Sequence, residues 1–166
     1  MPVVRKASFD DAREIAEINA TVWQTAYQNL LPAEILNTRK ADEKRIDDWQ
    51  RRTDNGKYTI LVYDDGEVSG YLWAGPARDD IGIVYEIYAL YVKNDRQRQG
   101  IGRALLTAYR KQINYAPHYL YMLKGNLPAA RFYESMGGKN FPKYNRRKEY
   151  SGYDISEVIY VFAREL

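Results

Sequence analysis

Apolar positions along the chain alternate between helical spacing and short continuous runs, and the changes of period mark its predicted elements. Val3 to Lys6 reads as a short strand. Ser8 then caps a helix, with Asp11 as a capping-box partner and Ala12, Ile15, Ile18 and Val22 along one side. Leu30-Leu31-Pro32 interrupts, and Ala33 to Arg51 is predicted as a second, charge-rich helix whose few large apolar residues are Ile35, Leu36, Ile46 and Trp49. After Thr53-Asp54-Asn55-Gly56, the segments Tyr58 to Tyr63 and Glu67 to Ala74 flank Asp64-Asp65-Gly66, a hairpin signal, and Gly75-Pro76 closes it.

Ile83 to Val92 is the longest run of β-branched, aromatic and aliphatic residues and is predicted as a strand, ending in the polar segment Lys93 to Gln99. Gly100 to Ile113 returns to helical spacing through Ile101, Ala104, Leu105 and Ala108. His118 to Leu123 is another strand, with His118 at its start. Asn126-Leu127-Pro128 opens a helix that carries Ala129, Phe132, Tyr133 and Met136 on one face and stops at Gly137-Gly138. Asn140 to Tyr144 and Ile155 to Ala163 are predicted as two strands joined by a polar connection. No repeat, low-complexity tract or linker divides the chain, so residues 1–166 are expected to form one α/β domain with helices on both faces of a mixed, twisted sheet.

Composition narrows the chemistry. The 166 residues include 25 Lys+Arg and 22 Asp+Glu, and a net charge of +3 is too small to imply nucleic acid. There is no cysteine, which removes disulfides and thiol nucleophiles, and the single histidine leaves no multi-histidine metal site. No run approaches a membrane span and the first residues lack a signal-peptide core, so a soluble cytoplasmic protein is expected. Tyrosine is over-used, 16 against 4 Phe and 3 Trp, which suits either a pocket or a half-buried sheet face.

Gln97-Arg98-Gln99-Gly100-Ile101-Gly102 lies where a strand hands over to a helix. Its backbone N–H groups and the helix dipole can converge on an anion, with Arg96, Arg98 and Arg103 adding positive charge. The plainer alternative is a glycine turn with solvated basic residues. A P-loop is excluded because Gly102-Arg103-Ala104 stands where Gly-Lys-Ser/Thr is required. A dinucleotide fingerprint is disfavoured, since Leu105 replaces the third small residue and Tyr121-Met122-Leu123 occupies the place of the acidic one.

Glu86-Ile87-Tyr88-Ala89-Leu90-Tyr91-Val92 followed by Gln97 to Gly102 resembles the acetyl-CoA motif of the GNAT superfamily of N-acetyltransferases, Gln/Arg-x-x-Gly-x-Gly/Ala. A second segment, Asn126 to Gly137, resembles that family's Asn-x-x-Ala-x-x-Phe-Tyr-x-x-x-Gly pattern. The resemblance implies a mixed sheet splayed between the Ile83 to Val92 and His118 to Leu123 strands, with acetyl-CoA as co-substrate. It implies that the backbone of Gln97, Arg98, Gln99, Gly100, Ile101, Gly102 and Arg103 holds the pyrophosphate. Leu90, Tyr91 and Val92 would pair with the pantetheine arm as an added strand does, the N–H near Leu90 would stabilise the oxyanion, and Asn126 and Ala129 would border the arm's other side. Tyr133 matches the family's general-acid tyrosine, although its spacing alone also suits a core aromatic. Glu86 falls where several members carry a general base, or else it fixes a loop or bonds substrate. Departures at Gly137-Gly138 and Lys124 bear on the charge of the acceptor.

The expected function is acetyl transfer from acetyl-CoA to a primary amine of a small molecule such as a polyamine, amino acid or antibiotic, by direct attack in a ternary complex. The rivals are a non-catalytic acyl-CoA-binding sensor and a protein or peptide N-acetyltransferase. Neither metal, nucleic acid nor membrane is expected as a partner; a homodimer through the C-terminal strands is conceivable. Trp23, Tyr27 and Leu31 lie where family members build the acceptor pocket, or are ordinary core. Arg146-Arg147-Lys148 could steer an anion, or is solvated.

Overall fold

The computed structural model describes residues 1–164. Strands β1 (Val3–Lys6), β2 (Thr59–Asp64), β3 (Val68–Pro76), β4 (Tyr85–Val92), β5 (His118–Leu123), β6 (Lys139–Asn140), β7 (Arg146–Tyr150) and β8 (Tyr153–Phe162) form one sheet in the order β1-β2-β3-β4-β5-β8-β6, with β7 also on β8. Strand periodicity sorts the side chains to two faces. Ile60, Val62 and Tyr71 pack under α1 (Ala12–Ala26) and α3 (Glu43–Asp54), whereas Leu61, Leu72, Ile87 and Leu120 pack under α4 (Ile101–Gln112) and α5 (Leu127–Ser135). The expected mixed α/β sheet with helices on both faces is therefore present.

The pairing of β4 with β5 positions everything that follows. It is the parallel pair of the sheet, and it runs only from Tyr85↔His118 to Ile87↔Leu120. Beyond Ile87, β4 stays on β3 as far as Val92↔Gly70, while β5 stays on β8 as far as Leu123↔Glu157. The two strands thus part, and a wedge opens with unpaired backbone along one edge of β4.

Several predicted boundaries are corrected. Ala33 to Arg51 is two helices, α2 (Ala33–Leu36) and α3. The Thr38 hydroxyl donates to the Ile35 carbonyl and ends the first, and the Asp42 carboxylate accepts from the Arg45 N–H and starts the second. The strand predicted from Ile83 begins at Tyr85. Asn140 to Tyr144 is strand only at Lys139–Asn140, because Pro142 lacks a donor and the chain turns through a 3-10 segment, Pro142–Tyr144. The connection read as merely polar contains β7, joined to β8 by Ser151-Gly152, both at positive φ as a tight hairpin turn requires. Among the described residues no helix is long and apolar enough to cross a membrane.

His118 is buried and stacked on Phe162, 4.8 Å between centroids. Its Nδ1 lies 2.8 Å from the Ala116 carbonyl and its Nε2 accepts from Arg110. That arrangement suits a neutral ring donating at Nδ1, and burial holds the pKa down to about 4 from 6.5. The unfolded chain therefore binds a proton that the folded chain refuses, and stability falls as pH drops from about 6.5 towards about 4. Urea unfolding at pH 7.5 and at pH 5 is expected to differ by about 2 kcal/mol through this group, a difference that His118→Gln removes.

Candidate active site

The wedge between β4 and β5 is a cleft of about 770 Å³. Its lining collects Leu90, Tyr91 and Val92 from β4, then Gln97, Arg98, Gly100, Ile101, Gly102 and Arg103 from the glycine turn and α4, and Asn126, Ala129 and Tyr133 from α5. Of the catalytic and coenzyme-binding residues expected from sequence, Glu86 and Gln99 stand outside that lining, as do Arg96, Trp23 and Leu31 among the others named, while Tyr27 lies within it. Gln99 turns away, accepting from Arg96 and donating to the Asp95 carbonyl.

One end of the cleft is built for an anion. Arg98 and Gly100 both have positive φ, 63° and 83°, so the turn curls its backbone inward. The first intrahelical bond runs from Ala104 N–H to the Gly100 carbonyl, which leaves the N–H groups of Ile101, Gly102 and Arg103 without helical acceptors. No acidic residue stands in the first turn of α4. A Cβ on Gly100 would meet nothing within 4 Å, and one on Gly102 would approach the Phe132 ring to 3.2 Å. The cradle is therefore empty at Gly100 and tight at Gly102. Arg96 does not contribute charge as expected, since it is paired with Asp65 and Glu67; Arg98 and Arg103 remain at the cleft.

At the other end, Tyr133 brings a phenol into the throat. It is buried against Phe132, Tyr160 and Phe162, and its hydroxyl has no hydrogen-bond partner among the described residues. Burial, then the neighbouring Tyr91 hydroxyl, raises its pKa above the ordinary tyrosine value. Tyr27 stands opposite on the turn after α1, its hydroxyl 3.1 Å from that of Tyr91, which also accepts from Trp23 Nε1 at 3.2 Å. Burial, then Tyr91, pushes the Tyr27 phenol far up as well. Asn126 caps α5, its side-chain oxygen accepting from Ala129 N–H.

Glu86 is fully buried. One carboxylate oxygen accepts from Arg78 Nη2 at 2.9 Å, and the other from Arg78 Nε and from the Arg78 backbone N–H, both at 3.0 Å. Next in the chain, Asp79 pairs with Arg146 and with the Tyr119 hydroxyl, and Arg146 also reaches Glu157. Arg146 is thus committed to carboxylates instead of standing solvated. Glu86, Tyr119 and Arg146 together pin the β3 to β4 loop, which does not line the cleft itself but reaches its wall through Arg78 over Tyr88 and Arg146 over Tyr121.

Sequence reading missed the contributions of Thr25, Asn29, Leu30 and Phe132 to the walls. Phe132 had a signal, because it shares a helix face with Tyr133. Thr25 lies in the last turn of α1, and Asn29 and Leu30 sit in a turn whose position no periodicity fixes.

Comparison with known proteins identifies the family and the fold. A model of the acetyltransferase (GNAT) family matches residues 16–138. The uncharacterized N-acetyltransferase YuaI of Bacillus subtilis is 30% identical over 162 residues, covering 95% of this chain and 91% of that one. Among solved structures, the PaiA N-acetyltransferase of Thermoplasma acidophilum in complex with coenzyme A is 20% identical, with a TM-score of 0.70 over 95% of this chain and 98% of that one. YncA of Salmonella typhimurium, solved with its cofactor acetyl-CoA, is 19% identical, with a TM-score of 0.71 over 100% of this chain and 95% of that one.

Proposed function

The chain belongs to the acetyltransferase (GNAT) family and is an acetyl-CoA-dependent N-acetyltransferase, and from that premise we propose that it acetylates a primary amine of a small molecule by direct attack in a ternary complex. The observation that carries this reading is the single cleft joining an anion cradle at one end to an unpaired phenol at the other. The residues present fit acetyl-CoA, which supplies an activated acetyl thioester. The N–H groups of Ile101, Gly102 and Arg103 suit its pyrophosphate, and the unpaired edge of β4 from Leu90 to Val92 suits its amide-bearing arm.

Chain residues then divide the work. The backbone near Leu90 offers N–H donors to a developing oxyanion. Tyr133 holds a proton that it can give to a departing thiolate, and its raised pKa keeps that proton in place across the neutral range. Tyr27 and Tyr91 close the throat and limit water. Glu86, held by Arg78, fixes the β3 to β4 loop, the second of its two sequence readings.

Thiol detection of CoA release across polyamines, amino acids, aminoglycosides and short peptides tests the proposal, free of background because the chain has no cysteine. Turnover on a small amine supports it. Turnover on peptides alone, or tight binding without release, overturns it. The cradle has its own test, since Gly102→Val puts side-chain bulk against Phe132. This variant is expected to bind coenzyme A about tenfold or more weakly by calorimetry, while Gly56→Ala, which meets nothing within 4 Å, serves as the neutral control.

A further inference from the structure

Arg39, in the turn between α2 and α3, lies against two aromatic faces. Its guanidinium carbon is 4.0 Å from the Trp23 ring centroid and 5.4 Å from that of Tyr150. Its Nε is buried without any hydrogen-bond partner, and the side chain forms no ion pair among the described residues. Burial pulls its pKa down, and none of the groups acting on it most strongly is a carboxylate; Arg45 adds a second positive charge. Stacking on aromatic rings compensates part of the desolvation, but a stranded guanidinium donor is costly to leave unmet.

The contrast with other arginines is informative. Arg5 reaches Asp11 and Asp64, Arg78 reaches Glu86, Arg96 reaches Asp65, and Arg146 reaches Asp79 and Glu157. Arg52 also stacks, on Trp49 and Trp73, yet Asp48 acts on it favourably and none of its atoms is stranded. Arg39 alone among these lacks an internal anion, and it sits one aromatic layer behind the cleft. Trp23, which it covers, donates to the Tyr91 hydroxyl, and Tyr91 contacts the Tyr27 hydroxyl on the cleft wall.

We propose that Arg39 receives a carboxylate of the acceptor, so that the amine acetylated belongs to an amino acid or another amino carboxylate and not to a polyamine. The Trp23 and Tyr150 rings flank the guanidinium, whose planar fork suits a two-point contact with a planar anion. A polycation would meet Arg39 and Arg45 with like charge. The proposal rests on the acetyl-transfer reading for the identity of the amine, but anion binding at Arg39 is measurable without turnover.

The experiment titrates glycine, β-alanine and γ-aminobutyrate, each beside its own amide, into the protein saturated with coenzyme A. At least one acid is expected to bind about tenfold or more tightly than its amide, with the best chain length reporting the distance from Arg39 to the amine. Arg39→Gln is expected to abolish the preference and Arg39→Lys to keep part of it. On the wild-type protein, raising salt from about 0.02 M to about 0.5 M is expected to narrow the acid-to-amide ratio, a reading that needs no variant to fold. Equal binding of acid and amide, no binding of either, or a preference that survives Arg39→Gln or high salt overturns the proposal. CoA release is followed on the same pairs with acetyl-CoA. Acids that bind through Arg39 yet release no CoA refute acetyl transfer and leave the anion site standing.

Discussion

Tyr133→Phe is expected to lower kcat about a hundredfold or more while leaving the Kd for coenzyme A within about threefold. The substitution deletes one oxygen and keeps the ring, so the contacts with Phe132, Tyr160 and Phe162 that seat α5 on the sheet persist. What disappears is a hydroxyl that none of the described residues engages. A tyrosine there merely to fill the core would gain nothing from an unpartnered phenol, whereas a proton donor needs its hydroxyl free for the ligand. Burial raises the Tyr133 pKa, so the group stays protonated through the ordinary tyrosine range near 10. The wild-type rate should therefore show no loss on the alkaline side from this residue below about pH 10. Turnover by thiol detection, with calorimetry for coenzyme A, checks both. An unchanged kcat would assign Tyr133 to packing, and an equal loss in binding would place it in the coenzyme site instead.

The coenzyme half of the cleft was legible in the sequence and the acceptor half largely was not, for a physical reason. Phosphate recognition by backbone needs glycine at defined offsets from a strand end and a helix start, and Gly100 and Gly102 display that need in the chain itself. Tyr133 follows from a helix face whose period is read directly. The acceptor side instead depends on contacts between segments far apart in sequence. Arg39 is meaningful only because Trp23 and Tyr150 flank it, and Arg78 only because Glu86 is buried beneath it. The break between α2 and α3 was missed because Ala33 to Arg51 lacks glycine and carries no proline, so side-chain caps at Thr38 and Asp42 set the boundary. β7 was hidden by its sequence, Arg146-Arg147-Lys148-Glu149-Tyr150, whose ladder bonds to β8 need no apolar face.

Glu86 decides between two kinds of role, and the expected result is a loss of stability. Glu86→Gln keeps the shape but removes the charge that receives the Arg78 fork, while Arg78→Ala leaves the fully buried carboxylate without its cation. Breaking a buried pair by removing one partner costs about 3–5 kcal/mol. Half of the Arg78 side chain is exposed, with a relative accessibility of 51%, so solvent softens the loss and about 2–3 kcal/mol is expected for each variant. For a chain of this length that lowers the thermal midpoint by roughly 4–12 °C. The double variant should cost little more than either single one, because both remove the same contact. Arg78 also ties to Glu86 through its backbone N–H, and Asp79 beside it holds Tyr119 and Arg146, so loosening the pair frees the loop and, through Arg78 over Tyr88 and Arg146 over Tyr121, the cleft wall behind it. The catalytic consequence should therefore appear mainly in KM for the amine and to the same extent in both variants. A general base predicts something else: kcat falling about a hundredfold or more in Glu86→Gln beside an Arg78→Ala variant that keeps its kcat. Only a general base lowers kcat in Glu86→Gln and not in Arg78→Ala, so the comparison of the two variants separates a carboxylate that moves a proton from one that holds a loop in place.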